Sequence, residues 1–290
     1  MRPVNMAICA FSVACGGLIG GQPLERLAGV LAFEADGGFP AWAIRVAYAA
    51  VSASLILAAG NAFNDVRDIE TDRINAPRRP IPSGMVSTAA AVVLSVMLCA
   101  AGLILSLPLG GAGIAVAITA AVLLFLYDVR LKGVPLAGNV SVAFLGGLAF
   151  VYGGVAGDCI RESLVPAVFA ILLHLGRELV KDAEDVEGDR EAGLSTAATA
   201  WGVRTALRLA AAVLIVLLIA TAIPFFNGYF GLPYALVLLF GVWPAVRMGA
   251  VLAFRPPARD RISRASLFLK IAMPAGILAV LAGFQGRSPL

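Results

Sequence analysis

The sequence predicts an all-α protein that crosses a lipid bilayer several times. Hydrophobic residues make up 60% of its 290 residues, charged residues make up 14%, and the mean hydropathy is +0.91. A soluble domain normally carries more charge than this, and several apolar runs reach the roughly 20 residues that a membrane helix needs. Because such helices pack into one bundle, we expect a single domain over residues 1–290.

Nine apolar segments are predicted to be membrane helices from their hydropathy. Between the first two segments, residues 23–40 are predicted to form a connection outside the cell, to which no chemistry is assigned. In chain order the nine segments cover residues 3–22, 41–66, 86–106, 111–129, 137–157, 163–183, 204–224, 230–253 and 263–284.

The distribution of cations predicts the orientation in the membrane. Most cations lie in the loops after the second, fourth, sixth and eighth segments, and the positive-inside rule places these loops in the cytoplasm. We therefore expect a multi-pass protein of the cell membrane with a cytoplasmic N-terminus and an external C-terminus. The net charge of +4 suits an anionic membrane surface and gives no indication of nucleic acid binding. The loop cations are Arg73, Arg78, Arg79, Arg130, Lys132, Arg190, Arg255, Arg259, Arg261 and Arg264.

Two acidic clusters repeat each other at the predicted cytoplasmic ends of the second and sixth segments. The first reads NAFNDVRDIETD from Asn61, and the second reads KDAEDVEGD from Lys181. Carboxylates are costly beside hydrocarbon and usually mark a functional site there. Three aspartates of each cluster share one offset, because 182 − 65, 185 − 68 and 189 − 72 all give 117.

Helical spacing places each cluster on one face of its helix, because residues three and four apart are neighbours on the helix surface. The first polar stripe comprises Asn61, Asn64, Asp65, Asp68 and Asp72, and the second comprises Glu178, Lys181, Asp182, Asp185 and Asp189. Glu70, Glu184, Glu187 and Glu191 lie off these stripes and are expected to be solvated.

Two stripes that face each other would form a site for divalent metal ions. Four or more carboxylates cannot all ionise in one small cavity without cations, and Mg²⁺ prefers oxygen ligands, including substrate phosphates. Two such sets of ligands fit two or three ions that bridge one diphosphate. The alternative, two ordinary solvated helix ends, leaves the repetition in register unexplained. Cations expected to neutralise the remaining phosphate oxygens are Arg67, Arg79, Lys132 and Lys181.

Three motifs resemble signatures of the UbiA superfamily of intramembrane prenyltransferases. NAFNDVRDIETDRINAPRRPIPSG, from Asn61 to Gly84, resembles the first signature, and KDAEDVEGD resembles the second. YDVRLKG…GN, which begins at Tyr127, lies between them in the family order. The resemblance covers essentially the whole chain. It implies nine helices around a central cavity open to the cytoplasmic side, and Mg²⁺-dependent transfer of a prenyl group from a prenyl diphosphate to a hydrophobic acceptor, with no obligate protein partner.

The resemblance also implies roles for individual residues. Asp128 departs from the small polar residue expected after Tyr127, which leaves its role open. The implied metal ligands are Asn64, Asp68, Asp72, Asp185 and Asp189, and the implied catalytic residues are Asp68, Asp185, Lys132 and Tyr127. The implied substrate-binding residues are Asn61, Asp65, Arg67, Arg79, Asn139, Lys181 and Asp182.

Loss of diphosphate from the donor leaves an allylic cation, which aromatic walls can hold. The isoprenoid tail needs an apolar groove. Glycines of the fifth segment would make room for this tail or would allow close helix packing. These glycines are Gly146, Gly147, Gly153 and Gly154, and the candidate aromatic residues are Phe63, Phe125, Tyr127, Phe144, Phe150 and Tyr152.

The loop from Arg73 to Gly84 is predicted to close over the diphosphate. Its prolines restrict the backbone, Gly84 permits a turn, and Arg78 and Arg79 bring cations within reach of the site. A lid of this kind excludes the water that would quench an allylic cation. The alternative is that these arginines anchor the loop to anionic lipid headgroups.

The acceptor is predicted from the residues around the second cluster. RELVKDAEDVEGD, with Arg177, Glu178 and Lys181, is most similar to the members that add a geranylgeranyl group to geranylgeranylglyceryl phosphate. A quinone precursor and chlorophyllide are the alternative acceptors. Two other classes of protein are a CDP-alcohol phosphotransferase, whose DG…AR pattern is missing here, and a cation transporter, which would hold its carboxylates nearer the membrane midplane.

Overall fold

The computed structural model describes residues 3–31 and 38–285, and within these residues it is helical with no β-strand. Seven of its helical stretches are long and apolar enough to cross a membrane, and the shorter helix Pro3–Leu18 is also apolar. The prediction of an all-α, multi-pass membrane protein is therefore confirmed. The seven stretches are Ala41–Arg67, Thr88–Leu131, Ala137–Ala156, Ile160–Glu191, Val203–Phe226, Leu232–Phe254 and Arg259–Gly283.

The helices fall on the predicted segments. The described residues form α1 (Pro3–Leu18), α2 (Pro23–Leu31), α3 (Ala41–Arg67), α4 (Ile69–Asn75), α5 (Thr88–Ser106), α6 (Gly110–Leu126), α7 (Ala137–Ala156), α8 (Ile160–Glu191), α9 (Ala197–Trp201), α10 (Val203–Phe226), α11 (Leu232–Val237), α12 (Trp243–Val251) and α13 (Arg259–Gly283). Helix α2 lies within the predicted connection 23–40, of which residues 32–37 are outside the described residues.

Two regions differ from the predicted pattern of separate, continuous helices. The third and fourth form α5 and α6, which are joined by the 3₁₀ turn Leu107–Leu109 and both pack on α3. The eighth is interrupted, because a π-helical turn at Leu238–Val242 separates α11 from α12. The count of nine crossings stays a prediction.

Helix α7 packs against α1, α3, α6 and α8. Its glycines allow this, because a Cβ on Gly153 would lie 1.9 Å from the carbonyl oxygen of Val13, and one on Gly146 would lie 2.5 Å from the His174 ring. Gly147 and Gly154 meet α8 in the same way, against Ala167 and Ser163. Close helix packing is therefore the role of the four glycines of this helix, and they do not line an open groove for a tail.

The first polar stripe does not lie on one uninterrupted helix, and this part of the prediction was wrong. Helix α3 ends at Arg67, Asp68 has φ −92° and ψ 10°, and α4 begins at Ile69. Amide hydrogen bonds from Asp68 to Asn64 and from Asp72 to Asp68 still continue the helical pattern across the break. The hydrogen-bond pattern therefore continues past Asp68, but Asp72 belongs to a separate short helix.

Candidate active site

The predicted site residues gather at one end of the bundle, where α3, α6 and α8 end and α7 begins. Side-chain hydrogen bonds join the elements there, from Asn64 on α3 to Asp128, and from Asn139 on α7 to Asp182 on α8. Helices α3 and α8 both pack on α7. The segment between α6 and α7 therefore lies at the centre of the site.

Asp68 is held by Lys132. The Nζ atom of Lys132 donates to both carboxylate oxygens of Asp68, each at 2.7 Å. Lys132 follows directly after a π-helical turn, Tyr127–Leu131, and its amide donates to the Tyr127 carbonyl at 2.9 Å. Such turns often occur at functional sites, and here the turn lies between the Tyr and the Lys of the predicted catalytic set.

Asp72 is held by Arg79, which comes from the loop after α4. An Nη1 atom of Arg79 lies 2.5 Å from an Asp72 oxygen and 3.8 Å from an Asp65 oxygen, and the Asp72 side chain is only 9% exposed. The loop turns at Gly84, whose φ is +78°, a value that favours glycine. The predicted turn is confirmed, and one of the two loop arginines reaches the aspartates, while Arg78 is exposed.

Asn64 and Asp128 form a pair that the sequence analysis missed. The Nδ2 atom of Asn64 donates to Asp128 Oδ1 at 2.7 Å, and Asp128 is 8% exposed. A buried aspartate beside the predicted Tyr127, in the middle of a recognised motif, was the available signal. This hydrogen bond fixes the orientation of the Asn64 carboxamide.

The second cluster lies on a continuous helix, α8, which runs to Glu191, beyond the predicted end at residue 183. Lys181 forms an ion pair with Asp185 one turn later. Asp182 accepts two hydrogen bonds of 3.1 Å, from Asn139 Nδ2 and from the amide of Ala197. The Ala197 amide is at the first turn of α9, which Thr196 caps, and a backbone donor of this kind carries no signal in the sequence.

Hydrogen bonds connect both clusters to the stretch from Asp128 to Asn139. Asp128 and Lys132 bond to Asn64 and Asp68 of the first cluster, and Asn139 bonds to Asp182 of the second. This stretch therefore contacts both clusters.

Arg67 differs from the other predicted cations of the site. It is exposed, and no hydrogen bond or ion pair joins it to another residue in the described part of the chain. Its role in substrate binding stays a prediction. The off-stripe Glu70, Glu187 and Glu191 are exposed as predicted, while Glu184 is half-buried.

The donor set fits Mg²⁺ when substrate completes the coordination. Within residues 3–31 and 38–285, no three acidic, histidine or cysteine side chains lie close enough to hold an ion together. Asp68, Asp72 and Asp185 instead each contact a cation of the chain. Mg²⁺ commonly takes only one or two protein carboxylates and fills its shell with water and substrate phosphates, so separate carboxylates suit it.

An open apolar groove of about 510 Å³ lies between α6 and α7. It is on the outer surface of the bundle, because its residues Val122 and Val140 are exposed. Phe144 lines this groove, whereas Phe63 and Phe125 contact each other edge to face with ring centroids 5.1 Å apart. The remaining candidate aromatics, Phe150 and Tyr152, are buried packing residues.

The fold and the site together define a polytopic α-helical membrane protein with a carboxylate-rich site at one end of the bundle. The UbiA prenyltransferase family matches residues 27–273, and the chain belongs to this family. The resemblance of its motifs is thus confirmed, and the protein is an intramembrane prenyltransferase.

Relatives match along nearly the full chain. Digeranylgeranylglyceryl phosphate synthase of Methanopyrus kandleri is 36% identical over 281 residues, which cover 97% of this chain and 96% of that protein. A solved structure of a digeranylgeranylglyceryl phosphate synthase has a TM-score of 0.73 and 29% identity, and the match covers 98% of this chain and 99% of that one. A UbiA homologue from Archaeoglobus fulgidus, solved with GPP and Mg²⁺, shares the fold with a TM-score of 0.54 and 16% identity, covering 96% and 97%.

Proposed function

We propose that this protein transfers a geranylgeranyl group from geranylgeranyl diphosphate to geranylgeranylglyceryl phosphate and releases diphosphate, with Mg²⁺ as cofactor. The observation that carries the proposal is that hydrogen bonds tie both aspartate clusters to one stretch of chain, from Lys132 to Asp68 and from Asn139 to Asp182. The full-length similarity to digeranylgeranylglyceryl phosphate synthases supports the choice of acceptor, and the homologue solved with GPP and Mg²⁺ supports the donor class and the metal.

The aspartates and the cations have complementary roles in this reaction. Mg²⁺ held by Asn64, Asp68, Asp72, Asp185 and Asp189 would stabilise the charge that develops on the leaving diphosphate. Lys132 forms an ion pair with Asp68, and Arg79 forms one with Asp72. Once Mg²⁺ neutralises these aspartates, the two cations bind phosphate oxygens. The donor C1–O bond breaks and releases diphosphate, and the acceptor hydroxyl oxygen bonds to C1. The acceptor O–H bond breaks, and its proton passes to the released diphosphate.

Positioning residues keep this geometry in place. Asn139 and the Ala197 amide fix Asp182 at the end of α8, and Asp128 fixes Asn64. The donor tail lies in the open apolar groove between α6 and α7. Phe144 in this groove and the face of Tyr127 are suited to an allylic cation, because aromatic faces attract positive charge.

The chain crosses the cell membrane nine times around a cavity that opens to the cytoplasm, with the N-terminus inside and the C-terminus outside. The arginine-rich loops support this orientation, because Arg79 and Lys132 contact the aspartates and therefore lie at their end of the bundle. The positive-inside rule assigns that end to the cytoplasm.

The loop from Arg73 to Gly84 acts as a lid over the diphosphate. Its contact with Asp72 through Arg79 supports this role, because the loop is already joined to the first cluster. A closed lid excludes water from the reacting carbon.

One assay tests the proposed function. Purified protein with Mg²⁺ and labelled geranylgeranyl diphosphate is offered geranylgeranylglyceryl phosphate, a quinone precursor and chlorophyllide in parallel, and the products are identified by mass. We expect the diether phosphate product from the first acceptor. Efficient prenylation of an aromatic acceptor or chlorophyllide, without that product, would overturn the assignment.

A further inference from the structure

The polar stripes of α3 and α8 each continue into a second layer, one helical turn deeper than the aspartates. On α3 it consists of Asn61, four residues before Asp65, and on α8 it consists of Arg177 and Glu178. Asn61 and Glu178 follow the same offset as the aspartates, since 178 − 61 gives 117. Charged side chains this far from a helix end are costly in a membrane protein and usually serve a ligand.

The donors of this layer are not fully used. Arg177 and Glu178 form an ion pair in which each side chain is 16% exposed. The Nε atom of Arg177 and the Nδ2 atom of Asn61 are both buried and have no hydrogen-bond partner among the described residues. A buried donor without an acceptor is unfavourable. The unused Nε donor of Arg177, beside a buried ion pair, therefore suits a ligand that supplies an acceptor.

The layer lies between the aspartate site and an apolar interior. On α8, Glu178 lies one turn before Asp182 of the aspartate cluster. Arg177 lies one turn after His174, which lines a narrow internal cavity of about 50 Å³ together with Phe169, Leu173 and other apolar residues. A charged group bound at Arg177 would therefore have polar residues on one side and apolar residues on the other.

We propose that Arg177 forms a subsite for the phosphate group of the acceptor, separate from the site of the donor diphosphate. This inference rests on the proposed function. The aspartate layer already has Lys132, Arg79 and Lys181 for the diphosphate, so a second phosphate requires a cation of its own. The planar guanidinium group suits a phosphate because it offers two parallel donors.

Glu178 keeps this arginine in place before the acceptor arrives. An unpaired charge at this depth would be strongly unfavourable, and the adjacent carboxylate compensates it. The ion pair also limits the rotamers of Arg177. The acceptor phosphate then takes up the buried Nε donor that Glu178 does not use.

The test measures selectivity between two acceptors in detergent, geranylgeranylglyceryl phosphate and the same lipid without its phosphate. We expect the wild type to prefer the phosphorylated lipid in kcat/KM. In Arg177→Gln this preference should fall by about ten- to hundredfold, the scale of a charge-assisted hydrogen bond, with the loss in the acceptor KM. The affinity of Arg177→Gln for labelled geranylgeranyl diphosphate with Mg²⁺ should stay within about twofold of the wild-type value.

Companion variants separate binding from folding. Arg177→Gln leaves Glu178 unpaired, so the double variant Arg177→Gln/Glu178→Gln removes both charges. Thermal melting checks that this double variant is folded, and it should show the same loss of preference. Arg177→Lys keeps the charge and should restore part of the preference. Arg161→Gln, an exposed arginine at the opposite end of α8, is the matched control and should keep the wild-type preference.

The possible outcomes test the Arg177 subsite and the proposed function separately. Unchanged acceptor preference in folded Arg177 variants, or an equal loss of donor affinity, would overturn the subsite while leaving the proposed function intact. A wild type that uses neither lipid acceptor would instead overturn the proposed function.

Discussion

The two aspartate clusters have the same spacing in the sequence but are built differently in the structure. The first spans a helix break at Asp68 and takes its cations from outside α3, with Lys132 lying 64 residues later and Arg79 in the following loop. The second lies on the continuous helix α8, and Lys181 on the same helix pairs with Asp185.

This difference shows that the spacing of the aspartates in the sequence does not determine which cations surround them in the structure. A constant offset of 117 residues fixes which side chains correspond, whereas the neighbouring elements decide which cation each carboxylate meets. The cations that hold the first cluster come from beside a π-helical turn and from a loop. We therefore expect this cluster to rearrange more easily when a diphosphate binds. The second is anchored by the Asn139 side chain and the Ala197 amide at Asp182, so we expect it to be the more rigid half.

Removal of the metal should have the largest effect and should act on both clusters equally. Without a divalent ion, the carboxylates repel the diphosphate, so excess chelator should abolish transfer and added Mg²⁺ should restore it. Product formation by mass spectrometry is the readout. Full turnover in chelator would show that the aspartates do not act through a metal.

Loss of one charge in either cluster should have the next largest effect. Asp68→Asn and Asp185→Asn should each lower kcat by at least about a hundredfold, the scale of a lost charge-stabilising group. Glu184→Gln, on α8 but off the polar stripe, is the control and should be much milder. Wild-type turnover in only one of the two aspartate variants would mean that the clusters are not equivalent.

Loss of the loop cation should affect only the first cluster. Arg79→Ala removes the contact with Asp72 and should lower transfer by about tenfold, as expected for one charge-assisted hydrogen bond. Because the lid would then admit water, the share of prenyl alcohol should rise. In detergent, where headgroup anchoring is absent, a normal rate with a normal ratio of product to alcohol would favour the anchoring alternative.

Loss of the charge on Asp128 should have the smallest effect. Asp128→Asn keeps an oxygen that accepts from Asn64, so kcat should fall by less than about tenfold, the net value of one neutral hydrogen bond. Asp128→Ala removes the acceptor and should be clearly worse. Equal kinetics for the two variants would argue against an orienting role.

The sequence predicted what depends on hydropathy and on helical spacing. The membrane class, the positions of the helices and the gathering of both clusters at one end all follow from apolar length and from the spacing of the aspartates. The role of Gly84 follows in the same way, since its turn requires a positive φ.

The sequence did not predict what depends on tertiary contacts. The break at Asp68 and the pairing of Asn64 with Asp128 arise from packing across α3 and the π-helical turn. The second donor to Asp182 is a backbone amide of Ala197, which every residue type carries. Arg67 shares the charge of Arg79, but only Arg79 lies on a segment that returns to the aspartates.

The most direct test of a single site built from two clusters is a double-mutant cycle on kcat/KM with Asp68→Asn, Asp185→Asn and the combined variant. Residues that act as one unit are strongly non-additive. If both clusters hold the same metal–diphosphate, the combined variant should be about as slow as the slower single variant. If the two losses multiply, so that their activation free energies add, the clusters act independently and the single shared site is wrong.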